Sequence, residues 1–344
     1  MSRKDQIIKL IKGEKLDYTP HHFDLTLKMT DKLGEYYGYD RDGVEDYIGN
    51  HLLYLDPTEP EGLSGYRGTV DGLFKDEFGV VWDAKSNYDV GDWGMVSFPI
   101  KDFDFSNYVF PDGKGEGRFN KAAELMEQYP GRFNVMRITG PFTQSWHLTG
   151  IDEFFVGMMI EKETAHMVFD KITEYICNLI SSIPKGVDAV RIIDDFGFQD
   201  KLMFSKDIWM EYVYPSLKTI YKVIRDKGMY VMVHSCGHVE EIVPELIELG
   251  TDILDPIQPE ANNVSFIKKK YGKDIVLFGG LGSQSTIPCG TKEDVVAEAE
   301  ETLRILGEGG KYIIGPAGSI PTEAPVENVV ALVEFCKGLK DKGI

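Results

Sequence analysis

The feature that most constrains this chain is an alternation. From residue 132 onward, short β-rich runs take turns with longer amphipathic stretches. "RFNVMRITGPF" (132–142) predicts a strand. "EFFVGMMIEKETAHMVFDKITEYICNLISSI" (153–183) carries apolar residues at the helical period of about 3.6. The pair recurs as strand 187–197 with helix 207–228, strand 230–237 with helix 239–250, and strand 251–258 with "VSFIKKKYG". Strand 274–282 with helix 292–310 and strand 311–318 with helix 325–343 complete six such units. Strands separated by helices pair in parallel through right-handed crossovers. Two earlier runs, "HHFDLTL" (21–27) and "HLLYLDP" (51–57), raise the strand count to eight. Eight strands predict a closed (β/α)8 TIM barrel. An open doubly wound sheet is disfavoured, because no Gly-rich dinucleotide fingerprint follows an early strand.

Segment 58–131 breaks the rhythm, being rich in Gly, Asp and aromatic residues. Within it "EFGVVWD" reads as one arm of a hairpin and "YVFPDGKGEGRF" as a loop. We read 58–131 as an insertion after strand 2 that covers part of the barrel mouth, inside a single domain spanning 1–344. With 42% hydrophobic and 27% charged residues over 344 positions, the chain has ample material for a core. Its formal charge of −19 argues against nucleic acid and against anionic lipid surfaces. No apolar run approaches membrane-spanning length, and 1–20 lacks the apolar core of a signal peptide. Four scattered cysteines without disulfide spacing suit a reducing cytoplasm. A homodimer is compatible with the chain.

In a parallel barrel, chemistry sits where the strands end and the βα loops begin. "VHSCGHVEEI" (233–242) places His234 and Cys236 there, two residues apart and so on one face of a strand. A lone His or Cys at such a place is ordinarily structural. Two soft donors converging on one point suit zinc, whose catalytic sites take three protein ligands and keep one position open. Glu260, after the next strand, is the favoured third ligand, with Cys289 the second candidate; Cys177 and Cys336 sit in amphipathic helices and read as core. His238 is expected on the following helix, facing solvent. Asp194 and Asp195 end strand 187–197 as adjacent acids facing opposite ways, one toward the mouth. They are candidates to position a substrate or hold a proton. The structural alternative is a helix cap or a salt bridge to Arg191 or Lys201. Gln199 and Gln258 are neutral groups suited to orienting a substrate.

Across these motifs the sequence resembles the uroporphyrinogen decarboxylase superfamily. The resemblance is carried by "GEKLDYTP" (13–20), "ITGPFTQSW" (138–146), "DDFGFQDKLMFSKDIWMEYVYPSLKTI" (194–220) and "VHSCGHVEEIVPELIELGTDILDPIQPE" (233–260). "VLFGGLGSQSTIPCGTKEDV" (276–295) and "APVENVVALVEF" (324–335) extend it. It implies the same barrel. In the branch of zinc-dependent, corrinoid-linked methyltransferases, it implies that His234 and Cys236 are zinc ligands. Two departures stand out. Coenzyme M-dependent members carry a further zinc cysteine after strand 8, where this chain reads "GPAGSIPTEAP" with Ala317. The decarboxylases bring early arginines to the substrate's carboxylates, and "HHFDLTLKMTDK" (21–32) has none. The resemblance therefore implies methyl transfer between a small methylated substrate (methoxylated aromatic, methylamine, or thiol or thioether) and a corrinoid (cobalamin) carried by a partner protein. A lyase acting on a small carboxylic acid, or a non-catalytic barrel subunit, are the alternatives.

Overall fold

The computed structural model describes residues 1–58, 72–83 and 94–343. Ten strands are present among them: β1 (Leu52–Leu55), β2 (Leu73–Lys75), β3 (Val81–Asp83), β4 (Gly94–Ser97), β5 (Phe133–Thr139), β6 (Ala189–Ile193), β7 (Tyr230–His234), β8 (Ile253–Ile257), β9 (Val276–Leu281) and β10 (Tyr312–Pro316). Seven of them form one parallel sheet in the order β1-β5-β6-β7-β8-β9-β10. Helices cross over between successive strands, as the alternation requires, and the longest are Lys162–Ser181, Val326–Lys342 and Lys292–Leu306.

The expected first strand, 21–27, does not form as one. Two isolated bridges, His21 to Ile314 and Leu25 to Ile320, take its place. The reason is local: Pro20 has no N–H, and the Phe23 N–H is taken by the Asn50 side chain at 2.7 Å instead of a ladder partner. The segment still reaches both edges of the sheet. His22 N–H donates to Ile314 O (3.1 Å) beside β10, and His51 N–H donates to His21 O (3.2 Å) beside β1.

Inward-facing residues alternate along each strand, as the pleat dictates. At the N-terminal end they are apolar: Leu52, Phe133, Val135, Ala189, Met232, Ile253 and Ile313 pack together, and Ile7 and Leu10 of the N-terminal helix Arg3–Ile11 join them. Outward residues such as Ile192, Val233 and Leu254 join a second core with the helices. Two expected helices are shorter or divided. The 153–183 stretch forms Ile151–Ile160 and Lys162–Ser181, broken at Glu161. The 239–250 helix begins only at Val243; before it the N–H groups of His238 and Val239 donate to Phe198 O (2.7 Å) and the Asn262 side chain (3.0 Å).

The 58–131 segment contains a second sheet, antiparallel, in the order β2-β3-β4, and the helix Asn120–Gln128. The expected hairpin arm is β3. Its turn is held by Asp76, whose carboxylate accepts from the N–H of Phe78 (3.0 Å) and Val80 (2.9 Å) and from the Trp82 indole (2.8 Å). Residues 59–71 and 84–93 lie outside the described part. Among the described residues no helix is long and apolar enough to cross a membrane.

Candidate functional site

Above the apolar floor the inward-facing positions turn polar. Arg191 of β6, His234 of β7 and Asp255 of β8 meet there, all but closed off from solvent. Asp255 Oδ2 accepts from Arg191 Nε (2.5 Å) and lies 3.0 Å from His234 Nδ1, while Arg191 Nη2 lies 2.5 Å from that oxygen and 2.6 Å from the same Nδ1. Burial alone would raise the Asp255 pKa; the adjacent Arg191 and His234 outweigh it and hold the carboxylate below its ordinary range. Asp255 and Arg191 both hold Nδ1, which fixes the ring and leaves Nε2 facing the mouth.

Three donors converge at that Nε2. Cys236 Sγ lies 3.4 Å away and Asp195 Oδ1 3.7 Å away. All three ligand atoms fall within 4.8 Å of one another. Cys236 does not sit on the strand face as expected, since β7 ends at His234; it approaches from the turn beyond. That turn is held against the loop after β6. Cys236 N–H donates to Asp195 Oδ1 (2.8 Å), Phe196 N–H donates to the Ser235 hydroxyl (2.9 Å), and His238 N–H donates to Phe198 O (2.7 Å). Glycine is required at the seam: a Cβ on Gly197 would lie 2.4 Å from His238 N, and one on Gly237 would lie 2.2 Å from Gly197 O.

The spacing suits a tetrahedral metal. Zinc–nitrogen and zinc–sulfur bonds of about 2.1 and 2.3 Å at a tetrahedral angle put the two ligand atoms about 3.6 Å apart, close to the 3.4 Å seen here. Burial and Arg191 both oppose a positive charge on His234, but the Cys236 sulfur and Asp255 outweigh them and raise its pKa to about 10. A metal bound there would displace a proton from the imidazole.

The remaining expected residues are distributed differently. Asp194 is buried and caps the helix Pro141–Trp146, accepting from the N–H groups of Phe142 (3.1 Å) and Thr143 (2.6 Å). Burial pushes its pKa up to about 7 despite those donors. The pair thus divides: Asp195 faces the mouth and Asp194 serves the wall. Glu260 is not brought to the His–Cys pair; its Oε1 accepts from the Ser285 hydroxyl (2.8 Å) and Gln284 N–H (3.3 Å) in the next loop. Cys289 is exposed on the short helix Thr286–Cys289, outside the cluster. Gln258 is buried and accepts from Gly237 N–H (3.0 Å), which supports the Cys236 turn. Gln199 is exposed and donates to the Gln284 side chain (3.0 Å) on the rim. His238 is half-buried and donates to Ala261 O (2.9 Å), not free in solvent. The Arg191–Asp255 pair was not anticipated. The signal was present, since a charged residue between Val190 and Ile192 in a buried strand requires a partner.

A cavity of about 330 Å³ opens between the β2–β4 sheet and the C-terminal ends of β5 and β6, and Asp195 is one of its walls. Phe74, Trp82 and Met95 line it from one side; Thr139, Gln144 and Trp146 line it from the other.

Residues 117–339 match the family model for uroporphyrinogen decarboxylase (URO-D). The chain belongs to the uroporphyrinogen decarboxylase family. The family match contains β5 to β10 and all three convergent side chains, Asp195, His234 and Cys236; β2 to β4 lie outside it. Among curated proteins, a methylated-thiol–coenzyme M methyltransferase of Methanosarcina mazei is 24% identical, over 62% of this chain and 56% of its own length. A methylcobamide:CoM methyltransferase of Methanosarcina barkeri is 25% identical, over 56% and 55%. A uroporphyrinogen decarboxylase of Anaeromyxobacter dehalogenans is 24% identical, over 57% and 56%. The chain thus spans little more than half the length of these relatives. A solved methyltransferase structure from Methanosarcina mazei superposes with a TM-score of 0.71 over 98% of both chains at 19% identity, which establishes the shared fold.

Proposed function

We propose that this chain is a zinc-dependent methyltransferase moving a methyl group between a small methylated substrate and a corrinoid-binding protein. The observation that carries the reading is the 3.4 Å approach of His234 Nε2 and Cys236 Sγ, with Asp195 beside them and Asp255 behind the imidazole. That is a donor set of nitrogen, sulfur and oxygen with one carboxylate orienting the histidine, as zinc sites use. His234, Cys236 and Asp195 hold the ion; Asp195 replaces Glu260 as third ligand. Zinc bound there would supply Lewis acidity to the sulfur, nitrogen or oxygen that carries or receives the methyl group. Asp255 and Arg191 keep the imidazole oriented, Gln258 holds the Cys236 turn, and Asp194 holds the helix that borders the cavity. We read the 21–27 segment as the eighth stave of a closed barrel, and 58–131 as its cover. The names of the methyltransferase relatives support this assignment.

The test is twofold. Elemental analysis of the purified protein should find about one zinc per chain, and a His234→Ala/Cys236→Ala double variant should hold none. Supplied with a methylated substrate, the protein should convert cobalt(I) cobalamin to its methylated form, read by visible absorbance. Equal zinc in wild type and double variant would sink the metal assignment. Absence of methyl transfer with a cognate corrinoid protein and all the substrate classes named above would sink the reaction.

A further inference from the structure

We infer that Gln144 is the specificity-determining residue of the cavity beside Asp195, and that the cavity takes an uncharged aromatic molecule bearing an ether or hydroxyl oxygen. For its chemistry this rests on the methyl-transfer reading; for binding it rests on the cavity alone.

The charged groups around the cavity are already engaged with one another. Arg118 is clamped on Glu77 at 2.6 and 2.9 Å. Arg137 is bonded to Asp56, Nε to Oδ1 at 2.9 Å. Asp76 is saturated by its turn and by Trp82. Among the described residues each arginine of the lining carries its own carboxylate, so a sulfonate or carboxylate ligand would meet no uncompensated guanidinium there. Neither Asp76, bonded to its own turn, nor Asp195 offers an anion a donor.

Gln144 differs from all of these. It is 8% exposed, lines the cavity, and its amide nitrogen has no hydrogen-bond partner among the described residues. A buried primary amide without a partner costs free energy unless a ligand supplies one. It offers both a donor and an acceptor, which matches an ether or hydroxyl oxygen. Trp82, Trp146, Phe78 and Tyr175 line the same cavity, and aromatic side chains suit packing on a ring. Size selects in the same direction. A methylated ammonium ion would leave most of the cavity empty, whereas substituted rings are of the size that pockets of roughly 300 Å³ upward enclose. Gln144 lies on the helix whose first turn is capped by Asp194, the neighbour of the proposed ligand Asp195. Gln144 and Asp195 line the same cavity, so a ring held by Gln144 lies in a chamber that one proposed ligand borders.

Isothermal titration of the full chain, without corrinoid, tests this. The probes are 2-methoxyphenol, toluene, trimethylammonium and mercaptoethanesulfonate. We expect 2-methoxyphenol to bind tightest. Gln144→Leu should weaken it about 3- to 10-fold, the range of one hydrogen bond, and leave toluene within twofold. Gln144→Ala, smaller and free of overpacking, should give the same selective loss if the leucine variant folds poorly by circular dichroism. Tighter binding of either ion, no binding of any probe, or equal losses for 2-methoxyphenol and toluene would overturn the inference. Binding as expected with no methyl transfer would instead count against the proposed function.

Discussion

The seam between the loops after β6 and β7 sets the distance from Asp195 to Cys236, and a methyl group placed in it should damage both stability and metal retention. Gly237 has φ +78, and a Cβ there would stand 2.2 Å from Gly197 O and 2.6 Å from Phe198 O. Gly228 has φ +75 with nothing within 4 Å of its would-be Cβ. Gly228→Ala therefore carries only the left-handed backbone cost, about 1 kcal/mol. Gly237→Ala carries that cost and must also push two backbones apart. The contacts at risk are His238 N–H to Phe198 O (2.7 Å), Gly237 N–H to the Gln258 side chain (3.0 Å) and Cys236 N–H to Asp195 (2.8 Å). Weakening two of these buried bonds adds at least about 2 kcal/mol. For a chain of this length that is a melting point about 4 °C below that of Gly228→Ala, taking roughly 2 °C per kcal/mol. Differential scanning calorimetry of the two variants with wild type reads the difference, and zinc content after dialysis reads the second consequence. Gly228→Ala should retain zinc like wild type; Gly237→Ala should lose it. Equal melting points and equal zinc in the two variants would refute the claim that this seam holds the ligands in place.

Three further outcomes are expected. Asp195→Ala should weaken zinc binding at least tenfold in a chelator competition, while Glu260→Gln, whose carboxylate is spent on Ser285, should stay within twofold; the reverse order would reinstate Glu260. Arg191→Met strands Asp255 as a buried charge and should cost about 3–5 kcal/mol in urea unfolding, a loss under 1 kcal/mol being the refuting result. Asp194 supplies a pH signature. Its folded pKa, about 7, lies above its ordinary value of 3.8, so between those values the folded chain holds a proton that the unfolded chain has lost. Stability from this group is full below about pH 4 and falls as pH rises to about 7. Asp194→Asn should flatten that slope, and an unchanged slope would contradict it.

The sheet was legible because parallel strands buried on both faces are near-continuous apolar runs, and 187–193 and 230–234 are such runs. His234 and Cys236 were legible because their convergence is local, two residues apart at a strand end. Glu260 lies apart from the His–Cys pair because its partner lies in another loop: Ser285 captures the carboxylate at 2.8 Å, and no periodicity encodes distances between loops. Which member of the Asp194–Asp195 pair would face the mouth depended on where the helix Pro141–Trp146 begins, since its free N–H groups claim one carboxylate. Strands β2 to β4 span three or four residues each, too few to show a period of two. The aromatic wall they contribute to the cavity was therefore hidden, and with it the role of Gln144.

The polar layer beneath the three ligands has a direction to it. An unpaired Asp255 behind His234 would pull the imidazole toward the protonated form, which has no lone pair for a metal. Arg191 opposes this: its charge lowers the His234 pKa while it binds the same Oδ2 that lies 3.0 Å from Nδ1. A lysine could not reproduce the arrangement, because Nε and Nη2 of a guanidinium reach one carboxylate from a rigid plane, whereas an ammonium is a single flexible point charge. That plane also lies 4.7 Å from the Tyr54 ring centroid, and Arg137, bonded to Asp56, lies 5.2 Å from it. Two arginines thus share the faces of one buried tyrosine, each neutralised by its own carboxylate. Positive charge can stand beneath the candidate metal site because Asp255 pairs with it, and it opposes the protonation of His234 that Cys236 and Asp255 favour.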